Sequence, residues 1–164
     1  MAKPRNIFAV CSMLMSLLFA YSASVQLNDP DWYFWFPVYA MACAVNLMNC
    51  GISSGTRGIG QMKKTALGFG LFLFVKVVLE DLTTNAAGFL SLDLTRRVVR
   101  EKIGSGLVVA SMALHLQASS QERKLRGEKH DSANWLHLGM GATVVFGYGL
   151  PVWFFTVQKG EMKL

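Results

Sequence analysis

Apolar residues in this chain fall in long blocks separated by short polar stretches. They follow neither the alternation of a half-buried strand nor the narrow stripe of a surface helix. Residues 7–25, 32–52 and 135–157 contain no Lys, Arg, Asp or Glu. Each is close to the ~20 residues that carry a helix across the ~30 Å hydrocarbon core of a bilayer. Two further blocks, 65–82 and 103–118, are weaker: the first contains Lys76 and closes on Glu80 and Asp81, and the second opens on glycines and carries His115 near its end. The pattern predicts an all-α fold, a polytopic transmembrane helix bundle in one integral membrane domain covering 1–164. Five spans are expected, with four as the alternative if 65–82 does not cross.

Local signals refine the elements. Lys3 and Arg5 precede the first block, which is longer than the apolar core of a signal peptide and is therefore expected to be retained as a helix. Ser12, Ser16, Ala20 and Ser24 recur at every fourth position and predict a close-packing face. Only 26–31 separate the first two blocks, which forces a tight antiparallel hairpin, and the cluster Trp32 to Phe36 reads as an interfacial aromatic belt. The stretches 53–64, 83–102 and 119–134 read as polar connections, with a helical extension or an interfacial helix conceivable for the basic run 96–102. Gly139, Gly141, Gly147, Gly149 and Pro151 predict close packing and a kink in the last block.

Composition narrows the class. With 52% hydrophobic residues in 164, five spans use about 100 positions and leave only short loops and tails, which excludes a separate soluble catalytic or DNA-binding domain. The net charge of +6 therefore sits in loops, with no basic stripe able to follow a nucleic-acid backbone, so no nucleic-acid partner is expected. With five spans and a cytoplasmic N-terminus, nine Lys and Arg lie inside and six outside. With four spans the balance is twelve to four. Charge alone thus favours four.

The hexapeptide Gln26-Leu27-Asn28-Asp29-Pro30-Asp31, followed by Trp35 and Val38-Tyr39, resembles the first hairpin of the transmembrane protein 220 family of small eukaryotic multi-pass proteins. Ser105-Gly106-Leu107-Val108 is also similar to that family, although Arg100-Glu101 stands slightly further ahead of it than the family's Arg-Glu pair. The resemblance implies five spans, and on that ground five are preferred. It implies no reaction, ligand or cofactor.

Candidate chemistry is sparse. Asn28, Asp29 and Asp31 offer three side-chain oxygens on one turn, enough for a hard cation or a polar headgroup. The plainer expectation is that they hold the turn, with Gln26 assisting and Asp31 capping the second helix. Lys76, Glu80 and Asp81 are the ionisable group at membrane depth, where charge marks function by default; the alternative is a snorkelling Lys76 paired with Glu80 one turn away. Cys11, Cys50, His115 and His137 fall near one membrane face and supply zinc-, copper- or haem-type ligands. They lie on four separate helices without a ligand-spacing motif, so no metal is expected, with His115 and His137 the weak candidates. No nucleophile elbow, phosphate loop or internal repeat is present.

The expected function is non-enzymatic. The chain would sit in the lipid bilayer and bind a lipid or hydrophobic ligand, or serve as an accessory subunit in a homo-oligomer or membrane complex. The alternative is a compact intramembrane enzyme or transporter that uses Asp29 and Asp31 with Lys76 and Glu80.

Overall fold

The computed structural model describes residues 4–51, 57–84, 94, 96–124 and 133–158. They form five helices: α1 (Pro4–Gln26), α2 (Trp32–Gly51), α3 (Arg57–Thr84), α4 (Arg97–Lys124) and α5 (Ala133–Trp153). No strand occurs among the described residues, so the fold is all-α. α1 opens on Pro4, whose missing N–H costs nothing in a first turn. It ends where Pro30 precludes continuation, and the reversal is held by Asp29 N–H to the Gln26 carbonyl (2.9 Å) and Trp32 N–H to the Asp29 carbonyl (3.2 Å). α5 contains Pro151 and gives way to one π-helical turn, Phe154–Gln158. That is the local accommodation expected where a proline removes a helical donor.

Two helices outrun their apolar blocks. α3 begins at Arg57, so Lys63 and Lys64, expected in a loop, lie on helix; α4 begins at Arg97 and runs to Lys124, taking up basic residues expected in the connections on both sides. Helix persists because Lys, Arg, Gln and Glu have high helix propensity and their charges find partners on neighbouring helices.

Successive helices pack antiparallel, α5 closes the ring against α1, and α4 also touches α2. The core is built from Met15, Phe19, Trp35, Val38, Ala42, Leu73, Val77, Val108, Met112 and Met140. On α1 the buried line is Ser12, Met15, Ser16, Phe19 and Ala23, whereas Ala20 and Ser24 are exposed. The expected stripe of small residues therefore packs only along its first half. Four residues overshoot one 3.6-residue turn by about 40°, and after three steps the stripe has rotated out of the interface.

The expected aromatic belt divides as well. Trp32, Tyr33 and Phe34 are exposed, while Trp35 is buried and stacks on Tyr39 (6.2 Å), which stacks in turn on Phe19 (6.3 Å). Of the α5 glycines, Gly139 and Gly147 do take neighbouring side chains, Leu114 and Leu18, whereas a methyl at Gly141 or Gly149 would meet nothing within 4 Å.

Gly104 is the tightest crossing. A Cβ there would overlap the Tyr39 hydroxyl oxygen, and Trp35 and Phe19 flank the Tyr39 ring and oppose its swinging away. Gly104→Ala should therefore cost about 1–3 kcal/mol, read as a lower Tm in detergent. Tyr39→Phe in the same chain should recover most of the loss; an unaltered Tm for the single variant would show that α2 and α4 separate freely.

Candidate functional site

Polar side chains gather on α4 at both of its ends. Near its start, Arg97 bonds the Asp31 carboxylate and donates from Nε to Glu101 Oε1 at 2.5 Å. The second oxygen of Asp31 accepts from the Trp35 indole at 3.3 Å. One turn of α4 further, Lys102 donates to Asp81 Oδ2 at 2.6 Å, and both side chains are almost wholly buried. α4 is thereby tied to the α1–α2 turn through Arg97 and to the end of α3 through Lys102. Asp31 does not cap α2 with its carboxylate, as the sequence led us to expect, because Arg97 and Trp35 hold both oxygens.

The two titration directions here follow from burial and pairing. Burial pushes the Glu101 carboxyl above its ordinary range and outweighs the opposing pull of Arg97. The hydrogen bond to Glu101 raises Arg97, and the charges of Asp31 and Asp29 add to it. Asp29 thus belongs to the field of this cluster, while Asn28 faces outward. Gln26 is half-buried, and its Oε1 has no hydrogen-bond partner among the described residues. Lys76 and Glu80 pair at 3.7 Å with 45% and 47% of their side chains exposed, so they lie on the outside of α3 while Asp81 points inward. The acidic groups at 29–31 and 80–81 do come to the same end of the bundle, and the bases that join them, Arg97 and Lys102, belong to the basic run 96–102, which is the helical extension of α4.

The opposite end carries an uncharged network with one cation. Asn46 donates from Nδ2 to the Ala42 carbonyl (2.9 Å) and to Ser111 Oγ (3.1 Å), and its Oδ1 lies 2.9 Å from His115 Nε2. The Ala42 carbonyl can only accept, which fixes the amide and makes His115 Nε2 the donor. Lys63, buried at 4% exposure, donates to Ser119 Oγ (2.8 Å) and Asn49 Oδ1 (3.3 Å), joining α2, α3 and α4. His137 on α5 and His115 on α4 both meet the Phe8 ring edge-on. Among the described residues no three His, Cys, Asp or Glu side chains are grouped to hold a metal ion. Cys11 and Cys43 are free, and the Cys50 side chain lies outside the described residues.

Sequence reasoning singled out neither Asn46, Asn49, Lys63 and Ser119 nor Arg97 and Lys102. A signal existed only for the α4 side: Arg97, Glu101, Ser105, Ser111, His115 and Ser119 occupy one side of a single helix once α4 is extended at both ends.

A family model described as Transmembrane family 220, helix, matches residues 18–117, from the middle of α1 to the last third of α4. No curated protein and no solved structure matches the chain.

Two predictions follow from the charged end. Asp81→Asn removes the buried carboxylate that Lys102 donates to and should cost about 3–5 kcal/mol, whereas Asp81→Asn with Lys102→Met should regain most of it. Thermal unfolding of the three proteins decides; equal Tm values would mean that the pair is solvated. For Glu101, the raised folded-state value means that the folded state holds more protons than the unfolded one in the window above the ordinary carboxylate range. Stability must then fall as pH rises through that window. Wild type should lose Tm relative to Glu101→Gln along a rising pH series; a gain instead would mean that Arg97 outweighs burial.

Proposed function

Since the chain belongs to transmembrane family 220 and is a membrane protein, we propose that it crosses the bilayer five times with a cytoplasmic N-terminus and serves as a non-catalytic bundle that binds a lipid or hydrophobic ligand. One observation carries this reading: four helices turn large apolar side chains outward while the polar side chains of α4 are enclosed. Large apolar side chains are exposed along α1 and α5, at both ends of α2 and over the second half of α3, among them Val10, Leu17, Leu47, Phe72, Val75, Leu138 and Val145. Among the described residues α4 exposes none, and it carries the buried Glu101, Lys102, Ser105, Ser111 and His115. In water such a surface would aggregate. In lipid it is the expected one, and a helix with several polar groups is tolerated only when other helices enclose it.

Ile7–Gln26 and Trp135–Thr156 are long and apolar enough to cross a membrane on composition alone, at mean hydropathy 1.8 and 1.5. The other three helices fall below that standard for reasons the fold supplies. α2 carries Trp, Tyr and two Asn, α3 carries Lys63, Lys64 and Lys76, and α4 is the enclosed polar helix. Their lengths of 20, 28 and 28 residues reach ~30 Å or more at 1.5 Å per residue. Exposed Trp135 and Trp153 stand at the two ends of α5, ~27 Å apart along the helix, the separation of two interfacial girdles.

The geometry gives the compact enzyme or transporter less support. Asp31 is engaged by Arg97 and Trp35, and Lys76 and Glu80 pair with each other on the outer side of α3.

Single cysteines at Ser54 and Ser132, in a chain lacking Cys11, Cys43 and Cys50, should both label with an impermeant thiol reagent from the cytoplasmic face of sealed vesicles. Labelling from opposite faces would remove the five-span arrangement. For the ligand, the protein taken from membranes in a mild detergent should retain a lipid through native mass spectrometry and lose Tm when stripped of it; the bare chain alone, with Tm unchanged by delipidation, would count against binding.

A further inference from the structure

Three buried polar atoms at the uncharged end of the bundle have no hydrogen-bond partner among the described residues: Ser12 Oγ, His115 Nδ1 and His137 Nδ1. They surround one side chain. The Phe8 ring lies edge-on to His115 at 5.3 Å and to His137 at 5.9 Å, and Ser12 follows Phe8 by one turn on the same side of α1. Ser12 and His115 are both fully buried. Buried polar groups are ordinarily satisfied, because each one left bare loses its bond to water with nothing in return. Three such atoms, on side chains from α1, α4 and α5 that gather about the Phe8 ring, mark the place in the bundle with bonding capacity to spare.

The occupant's chemistry can be read from the donors and acceptors. His115 donates from Nε2 to Asn46 Oδ1, so in the neutral ring Nδ1 presents a bare lone pair that needs a donor. Ser12 brings a hydroxyl that can give or receive. A hydroxyl on the ligand meets both requirements at once, whereas a carboxylate or a phosphate has no proton for Nδ1. An anion would also want a cation, and the ammonium of Lys63 at this end is held by Asn49 and Ser119. Gly141, one turn from His137 on the same side of α5, would place a Cβ with nothing within 4 Å, so a hydrocarbon body can lie against the helix there.

We propose that this is a binding site for the hydroxyl end of an uncharged lipid alcohol, a sterol or a diacylglycerol. Its O–H donates to His115 Nδ1 and accepts from Ser12, and its hydrocarbon body lies along the Gly141 side of α5. The assignment rests on the lipid-binding reading above and specifies the class of ligand.

The test uses the full chain in phosphatidylcholine nanodiscs with photoactivatable, clickable analogues of cholesterol and of diacylglycerol, which separates the two sources of the same chemistry. At least one probe should label peptides of α1 and α5. Gly141→Phe, which fills the path proposed for the hydrocarbon body, should lower that labelling about tenfold. Ser12→Ala should lower it about fivefold, the loss of one hydrogen bond. Unlabelled alcohol should compete, and its O-methyl ether, which cannot donate to Nδ1, should not. Tm values near wild type for both variants show that the fold is kept; if Ser12→Ala fails to fold, Gly141→Phe and the ether competition decide alone. Labelling indifferent to Gly141→Phe, or equal competition by the ether, overturns the site. A retained phospholipid with neither alcohol labelling overturns the site and leaves the lipid-binding reading standing. No lipid of any kind overturns both.

Discussion

The fold depends on enclosing α4. Its inward side carries Glu101, Lys102, Ser105, Ser111 and His115, a set that neither lipid nor an apolar core accepts without partners. Three other elements supply partners to this side of α4. The α1–α2 turn brings Asp31 to Arg97, α3 brings Asp81 to Lys102, and α2 brings Asn46 to Ser111 and His115. Ser105 bonds back onto the Glu101 and Lys102 carbonyls of its own helix. The polar pairs therefore set which helix neighbours which and in what register, while the apolar contacts fill the volume between them. Close contact alone would leave much more freedom, since large apolar side chains pack against lipid almost as well as against each other.

Close approach is what makes those polar bonds short. Gly104 admits the Tyr39 hydroxyl against the α4 backbone, and Tyr39 is positioned by the stack that runs from Trp35 to Phe19. The same Trp35 donates to Asp31, which Arg97 holds from α4. One aromatic column thus aligns three helices and the first turn. A substitution in the column would disturb the ion pairs beside it even though no charge has been touched.

How much of this was legible in the sequence depends on where the charges ended up. α1, α2 and α5 could be placed within a few residues because their blocks are uncharged, and the hexapeptide 26–31 marked the first reversal. The extra turns of α3 and of the α4 C-terminal end were hidden because Lys63 and the run 119–124 read as solvated loop, whereas at the start of α4 a helical extension over 96–102 was one of the alternatives. Charge in a sequence announces water unless its partner can be seen, and here the partners that tie helix to helix are far along the chain: Asp31 is 66 residues from Arg97, and Ser119 is 56 from Lys63. His115 and His137 were noticed as a pair of metal-type residues near one membrane face. Their shared contact with Phe8 was not legible, since it depends on the ring closing α5 against α1.

The two polar ends are separated by an apolar layer. Along α4 the stretch from Ser105 to Ser111, ~9 Å of helix, carries the buried Leu107 and Val108. Around them stand Met15, Val38, Leu73 and Met140. A protein that moved a polar solute across the bilayer would have to open this layer. One that held a ligand by its polar head would need it closed, since the layer keeps the charges of Asp31, Asp81, Arg97 and Lys102 away from the uncharged donors and acceptors at the other end. The charged end then has a structural task, fastening α4 to the α1–α2 turn and to α3, and the end around Phe8 holds three of the four buried side-chain polar atoms that have no partner among the described residues. That division places the candidate chemistry opposite the acidic turn that was most conspicuous in the sequence, and it follows from the difference between groups that are already paired and groups that are not.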